Sequence, residues 1–218
     1  RTSAQLGVAD AARKAQVKEE QLTSWELGDN QPSVSQLRKL ARAYKRPLAV
    51  FYLPHPPKTF DALRDFRRLP EELVGRQSPE LAFEVRRARS RREIALDLYQ
   101  ELTGEEPKAF SVAANLNENP EVVAPRLREF LGVRPGEVSS WRTAYDAFNR
   151  WRGALEEAGA LVFQMEGVEV SETRGFSLSE RLFPVVAVNI KDAVVGRIFS
   201  MFHETAHLML REGGLCDL

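Results

Sequence analysis

The sequence predicts a mainly α-helical protein of the α+β class: a bundle of short helices, then a helical segment, then a small β-sheet packed on one buried helix. Three observations predict this class. Short stretches with helical spacing of apolar residues fill the first 45 positions, and a long one covers 79–103. After Ala160, short β-branched or aromatic segments alternate with turn-prone residues, which is typical of strands.

Composition excludes several classes of protein. The chain has 218 residues, of which 43% are hydrophobic and 28% are charged, so it can bury one large core or two small ones. The single cysteine, Cys216, excludes an intramolecular disulfide. Neither a membrane span nor a secretory signal peptide is recognisable, so we expect a cytoplasmic protein.

Charge is balanced overall but unevenly distributed. The chain holds 31 basic and 31 acidic residues, yet residues 1–100 contain 19 Lys and Arg against 13 Asp and Glu. The front half therefore suits a polyanionic partner better than the back half does.

A proline cluster marks the domain boundary. The apolar run Leu48–Leu53 is followed by Pro54-His55-Pro56-Pro57, which neither a helix nor a central strand would tolerate. The sequence therefore predicts one domain over 1–57 and a second over 58–218.

Three short helices are predicted in the first domain, over 8–16, 18–27 and 33–44. In the second helix Leu22 and Trp25 are three residues apart and should face the core, which turns Glu20, Thr23 and Ser24 outward. The first two helices and their tight connection are typical of a helix-turn-helix, whose second helix enters the DNA major groove. We expect base contacts from the three outward residues and phosphate contacts from nearby cations, namely Arg13, Lys14 and Lys18. The alternative is a plain helical bundle that serves only for dimerisation.

The second domain should begin with helices over 79–103, 120–131 and 141–155. The arginine-rich face of the first of these is more typical of a solvated helix face than of a second nucleic-acid site. Strands are predicted over 161–163, 175–178 and 184–188, and a largely apolar helix over 195–210.

The last helix contains the pattern His203-Glu204-Thr205-Ala206-His207. Imidazoles four residues apart project from one helical face and can bind one metal ion, and the adjacent glutamate can act as general base towards a metal-activated water. The sequence therefore predicts a zinc site with His203 and His207 as ligands and Glu204 as the catalytic residue. The alternative is that both histidines are ordinary core residues with satisfied hydrogen bonds.

A third protein ligand is not evident from the sequence. Glu212, Cys216 and Asp217 are the acidic or thiol side chains nearest to the helix, but none has a helical offset that brings it onto the histidine face. Each fits a surface turn better.

Two segments resemble known families. Trp25-Glu26-Leu27-Gly28 with the later Pro32, Leu37, Leu40 and Ala41 resembles the Xre-type helix-turn-helix signature over residues 1 to about 53. Arg174-Gly175-Phe176-Ser177 through Pro184, Asn189, Arg197 and Phe199 to His203–Leu208 is similar to the ImmA/IrrE family of metallopeptidases.

The second resemblance implies a zincin-like domain in which His203 and His207 bind zinc and Glu204 is catalytic. It also implies proteolysis of partner repressors and a third ligand, a glutamate in a later helix. No such helix follows in this sequence, so the chain resembles a fragment, and we expect zinc to be weakly bound or absent in it.

We therefore expect a DNA-binding transcriptional regulator that binds its operator as a homodimer and whose zinc-dependent endopeptidase domain acts on a partner protein such as a repressor. An extended substrate could add to the edge of the small sheet. The alternative is a non-catalytic regulator or antitoxin, whose peptidase-like domain only binds a partner such as a toxin.

Overall fold

The computed structural model describes residues 4, 6–55, 64–65, 78–211 and 214–216. These fall into two compact units, one within Arg1–Ala62 and Leu73–Arg86 and the other within Leu63–Glu72 and Arg87–Leu218. In the described part of the chain, no helix is long and apolar enough to cross a membrane.

The first unit is a bundle of short helices close to the predicted positions. Helices α1 (Val8–Ala15), α2 (Glu19–Leu27) and α3 (Val34–Ala43) are followed by a 3-10 helix, Leu48–Tyr52. Gly28 ends α2 with a positive φ of 85°, a conformation that glycine adopts without strain. The helices enclose one core, whose most buried members are Ala11, Ala12, Ala15 and Leu22.

Among the described residues, four further helices lie between positions 79 and 157. They are α4 (Pro79–Thr103), α5 (Pro120–Phe130), α6 (Pro135–Val138) and α7 (Ala144–Glu157). The Asn119 side chain caps α5, and a reciprocal capping box between Thr143 and Asp146 begins α7.

The predicted arginine-rich face of α4 is solvated only in part. Arg91 is exposed, but the Arg92 side chain is only 17% exposed and donates to the carbonyl oxygens of Leu182 and Phe183. Leu98 and Leu102, which continue the apolar spacing of the helix, are 50% and 82% exposed. This half of α4 packs through Arg92 and through Tyr99, whose ring meets Phe183 edge-on, so the leucine side stays open.

The second unit contains a mixed β-sheet. Its strands are β1 (Arg64–Asp65), β2 (Leu161–Met165), β3 (Gly175–Leu178), β4 (Val185–Asn189) and β5 (Gly214–Cys216). The order is β1-β5-β3-β4-β2, with β2 parallel to β4 and β3 antiparallel to both β4 and β5. The strands at 161–165, 175–178 and 185–189 confirm the predicted small sheet.

Helix α8 (Val194–Met209) packs on β3 and β4 and also contacts α7. Between them lies an apolar core that includes Leu155, Val186, Val188 and Met201, each fully buried. The described residues are therefore mostly helical with a small mixed sheet, and a zincin-like arrangement of the second unit stays a prediction.

Candidate metal centre and nucleic-acid interface

His203 and His207 lie on successive turns of α8 and converge. Their Nε2 atoms are 3.3 Å apart, and the ring planes meet at 74° with centroids 5.0 Å apart. Two nitrogens bound at about 2.0–2.1 Å to one tetrahedral zinc ion would be roughly 3.3 Å apart. Both side chains are half-buried, so water or a ligand can reach them. The pair therefore has the separation that two ligands of a single ion require.

Glu204 lies in a different environment from its two neighbours. It is 1% exposed, and burial raises the pKa of its carboxyl group to about 8. The nearby hydroxyl of Ser177 on β3 acts in the opposite direction and lowers the pKa of Glu204. The two groups do not, however, have the geometry of a well-aligned hydrogen bond. In the absence of a cation, burial therefore favours the neutral form of the carboxyl group.

Strand β3 leaves room for that carboxyl group because Gly175 has no side chain. A Cβ atom at this position would lie 3.3 Å from Glu204 Oε1 and 2.9 Å from the carbonyl oxygen of Ala187. Neither Gly175 nor Ser177 could be assigned to the site from its own chemistry. The signal in the sequence was the segment Arg174–Ser177, which carried part of the metallopeptidase resemblance and has a small residue on either side of Phe176.

Buried polar atoms around Glu204 are incompletely satisfied. Among the described residues, Glu204 Oε2, Ser177 Oγ and Ser200 Oγ have no hydrogen-bond partner. Ser200 is one helical turn before Glu204 and is also buried. An unpaired buried carboxyl group is costly in a core that serves packing alone. This polar cluster lies beside the two imidazoles, whose Nε2 atoms are also within hydrogen-bonding distance of each other. The metal site and the alternative of two ordinary core histidines both stay predictions.

A third protein ligand does not appear in the described part of the chain, where no three His, Cys, Asp or Glu side chains are grouped to hold a metal. Glu212 and Asp217 lie outside the described residues. Cys216 belongs to β5, but its side chain is not described. The candidates for the third ligand therefore stay predictions.

An exposed aromatic side chain lies beside the histidines. Phe199, 57% exposed, stacks on His203 with a centroid distance of 6.3 Å.

Strand β3 is flanked by β4 and β5, so the sheet edges formed by the described strands are β1 and β2. The predicted addition of a substrate strand therefore requires one of those two edges, unless β5 is displaced.

Helix α2 presents the predicted face in the first unit. Leu22 is buried and Trp25 packs against the core, whereas Glu20 and Thr23 are exposed and Ser24 is half-buried. The Thr23 hydroxyl donates to the carbonyl oxygen of its own helix at Glu19, and the Ser24 hydroxyl accepts from Asn30. Base contacts by these two hydroxyls would have to share or replace those bonds.

Two of the three predicted phosphate ligands already have acidic partners. Arg13 pairs with Asp10 on its own helix. The Lys14 ammonium donates to both carboxylate oxygens of Glu80, at 2.9 and 3.1 Å. Lys18, at the start of α2, is exposed and forms no ion pair with a described residue. Of the three, Lys18 alone is available to a phosphate without breaking an ion pair seen in the structure.

Sequence comparison identifies the first unit. Residues 5–51 match the helix-turn-helix family model, so the N-terminus carries a helix-turn-helix of the Xre type, which suggests a DNA-binding regulator. The match does not extend to the second unit. Searches of curated proteins and of solved structures gave no match.

Proposed function

We propose that this protein is a DNA-binding transcriptional regulator whose second unit is a zinc-dependent endopeptidase acting on a partner protein such as a repressor. The observation that carries the enzymatic part is the 3.3 Å separation of the two imidazole Nε2 atoms beside the buried carboxyl group of Glu204. The helix-turn-helix of residues 5–51 supports the DNA-binding part.

In this proposal, His203 and His207 hold the ion through Nε2. When bound, zinc supplies Lewis-acid polarisation and lowers the pKa of water. The pKa of Glu204 would fall from about 8 beside a cation, so that its carboxylate could accept a proton from the attacking water and later deliver it to the leaving amine. Gly175 gives that carboxyl group its space, and Phe199 provides an apolar surface beside the ligand pair.

On the DNA side, α2 would enter the major groove. Glu20 can accept from a cytosine amino group, and the hydroxyls of Thr23 and Ser24 can pair with several bases. Lys18 at the start of the helix would contact the backbone.

Cleavage of a partner repressor tests the enzymatic part. The chain, a Glu204→Gln variant and a Glu166→Gln control are incubated with the repressor and zinc, and the products are identified by mass spectrometry. Glu166 is exposed and lies outside α8, so its variant should cleave like the wild type. Glu204→Gln should abolish cleavage while the fold is retained. Equal cleavage by both variants would exclude Glu204 as the general base.

The second candidate is a regulator or antitoxin whose second unit binds a partner protein without cutting it. The observation that favours it is the lack of a third metal ligand in the described part of the chain. One experiment distinguishes the two functions: the chain is mixed with the partner protein and zinc, and the captured partner is analysed. A partner that is recovered intact supports binding without cleavage.

A further inference from the structure

A basic groove lies on the first unit, beside α3. It has a volume of about 440 Å³ and is open to solvent along one side. Four cations line it, within a stretch of nine residues, and Ala41, Pro47 and Leu48 contribute to its surface. We call it the α3 groove; its cations are Arg38, Arg42, Lys45 and Arg46.

Within the described residues, no ion pair joins the cations of the α3 groove to an acid. Helix α3 itself contains no Asp or Glu. Glu80 feels the charge of Lys45, but its carboxylate is already bonded to Lys14. The guanidinium of Arg86 donates to the carbonyl oxygen of Lys45 at 3.0 Å and so brings a further positive charge to the groove.

Like charges gathered in this way repel one another, and at Arg86 this repulsion adds to the larger effect of burial. Burial, together with the nearby charge of Arg46, lowers the pKa of Arg86 to about 10. An anion bound between these groups would relieve the repulsion. The geometry of the groove and the lack of acidic partners both point to an anionic ligand.

The other helices of the same unit present less positive charge to a polyanion. A depression on α2 is lined by three acids, Glu19, Glu20 and Asp29, together with Thr23, Ser24 and Leu27. The cations of α1 are paired with Asp10 and Glu80. Apart from Lys18 at the start of α2, the positive charge available for phosphates in the described part of this unit is therefore concentrated on α3 and the turn that follows it.

We propose that the α3 groove binds the sugar-phosphate backbone of duplex DNA and supplies most of the electrostatic affinity of the helix-turn-helix unit. This inference rests on the proposed DNA-binding function and assigns the phosphate contacts to Arg38, Arg42, Lys45 and Arg46 instead of Arg13 and Lys14. Duplex DNA is favoured over an acidic peptide because the groove belongs to the same compact unit as the helix-turn-helix.

The test measures how DNA affinity depends on salt. The full chain is titrated into a fluorescein-labelled duplex of about 25 base pairs with no chosen sequence, between 50 and 200 mM NaCl. For each phosphate that a variant no longer neutralises, the slope of log K against log salt should become shallower by about 0.9. We expect Arg38→Gln with Arg42→Gln to reduce the slope by nearly 2 and to weaken binding at least tenfold at 100 mM NaCl. Arg13→Gln with Lys14→Gln is the matched control and should leave the slope unchanged.

The outcomes separate the inference from the function on which it rests. If the wild type fails to bind any duplex, the proposed DNA-binding function is wrong. If it binds and the control pair flattens the slope while the groove pair does not, the groove inference alone is overturned. A parallel titration with polyglutamate tests an acidic protein segment as the ligand. If the groove variants keep their affinity for DNA but lose affinity for polyglutamate, the groove inference is also overturned. Arg38 and Arg42 are exposed, so their variants should fold, which circular dichroism checks.

Discussion

His203 Nε2 and His207 Nε2 face each other at 3.3 Å across one turn of α8. The helix backbone places the two side chains one turn apart and their rotamers set the separation of the rings, while α8 itself packs on β3, β4 and α7. The two side chains therefore already lie close together in the metal-free chain, so the proposed binding of an ion would require little reorganisation. Affinity then depends mainly on how many further donors complete the coordination shell.

The histidine pair should bind zinc with low affinity. Two imidazoles are the donors in the described part of the chain, so we expect a dissociation constant in the micromolar range or weaker, and no binding in His203→Ala or His207→Ala. Isothermal titration calorimetry measures both. His55→Ala is the control, because this exposed third histidine lies in the first unit. One zinc per chain that survives dialysis against a chelator would contradict the prediction.

Gly175→Ala should destabilise the protein. The new Cβ would stand 2.9 Å from the Ala187 carbonyl oxygen and 3.3 Å from Glu204 Oε1, so strand or helix must shift, at a cost of about 1–3 kcal/mol. Gly153→Ala is the opposite control. That position lies inside α7 with open space around it, so alanine should stabilise by roughly 0.5–1 kcal/mol. Urea unfolding followed by tryptophan fluorescence compares the two, and equal midpoints would refute the packing argument.

Burial of Glu204 should make the zinc-free protein less stable as pH rises. The folded-state pKa of about 8 exceeds the ordinary value of 4.5, so between these limits the unfolded chain ionises while the folded chain stays neutral. The stabilisation is complete below pH 4.5 and is lost as pH rises towards 8, at up to about 1.4 kcal/mol per pH unit. Unfolding free energies in a chelator from pH 5 to 8 should fall more steeply for the wild type than for Glu204→Gln. Parallel curves would show that the carboxyl group already ionises in the folded state.

Arg92→Ala should cost about 2–3 kcal/mol of unfolding free energy. Its Nε and Nη2 groups donate to Leu182 and Phe183 carbonyl oxygens at 2.8–3.1 Å, and alanine leaves those acceptors without this partner. Arg91→Ala on the same helix is the control. Its exposed guanidinium lies over the Phe163 ring at 5.4 Å, a contact of roughly 0.5–1 kcal/mol. A smaller decrease for Arg92→Ala than for Arg91→Ala would be inconsistent with this assignment.

Most helices and strands could be predicted from the sequence because their signals are local. Ser33 and Gln36 form the capping box that begins α3. A serine followed three residues later by glutamine is a signal of a helix N-terminus that can be read from the sequence. The pairing of the strands could not be predicted in the same way. Strand β4 runs parallel to β2 and antiparallel to β3, and this order depends on how helices and sheet pack together.

The same distinction between local and long-range signals applies to the candidate sites. Four-residue spacing places His203 and His207 on one helical face, so the sequence was sufficient to predict that the two rings can meet, as they do at 3.3 Å. The partner of Lys14 was not predictable, because Glu80 is 66 residues away in sequence and only the fold brings the two together. Net charge in the front half indicated a polyanion, but which cations are available depends on such long-range pairs.

The close approach of β3 to α8 has a consequence for evolution. Glycine at position 175 weakens the strand, because glycine is unfavourable in a strand interior. In return it leaves space for the carboxyl group of Glu204. The two positions should therefore vary together among homologous chains: lineages that keep Glu at 204 should retain Gly at 175, and lineages in which a smaller residue replaces the acid should be free to acquire alanine or serine on the strand.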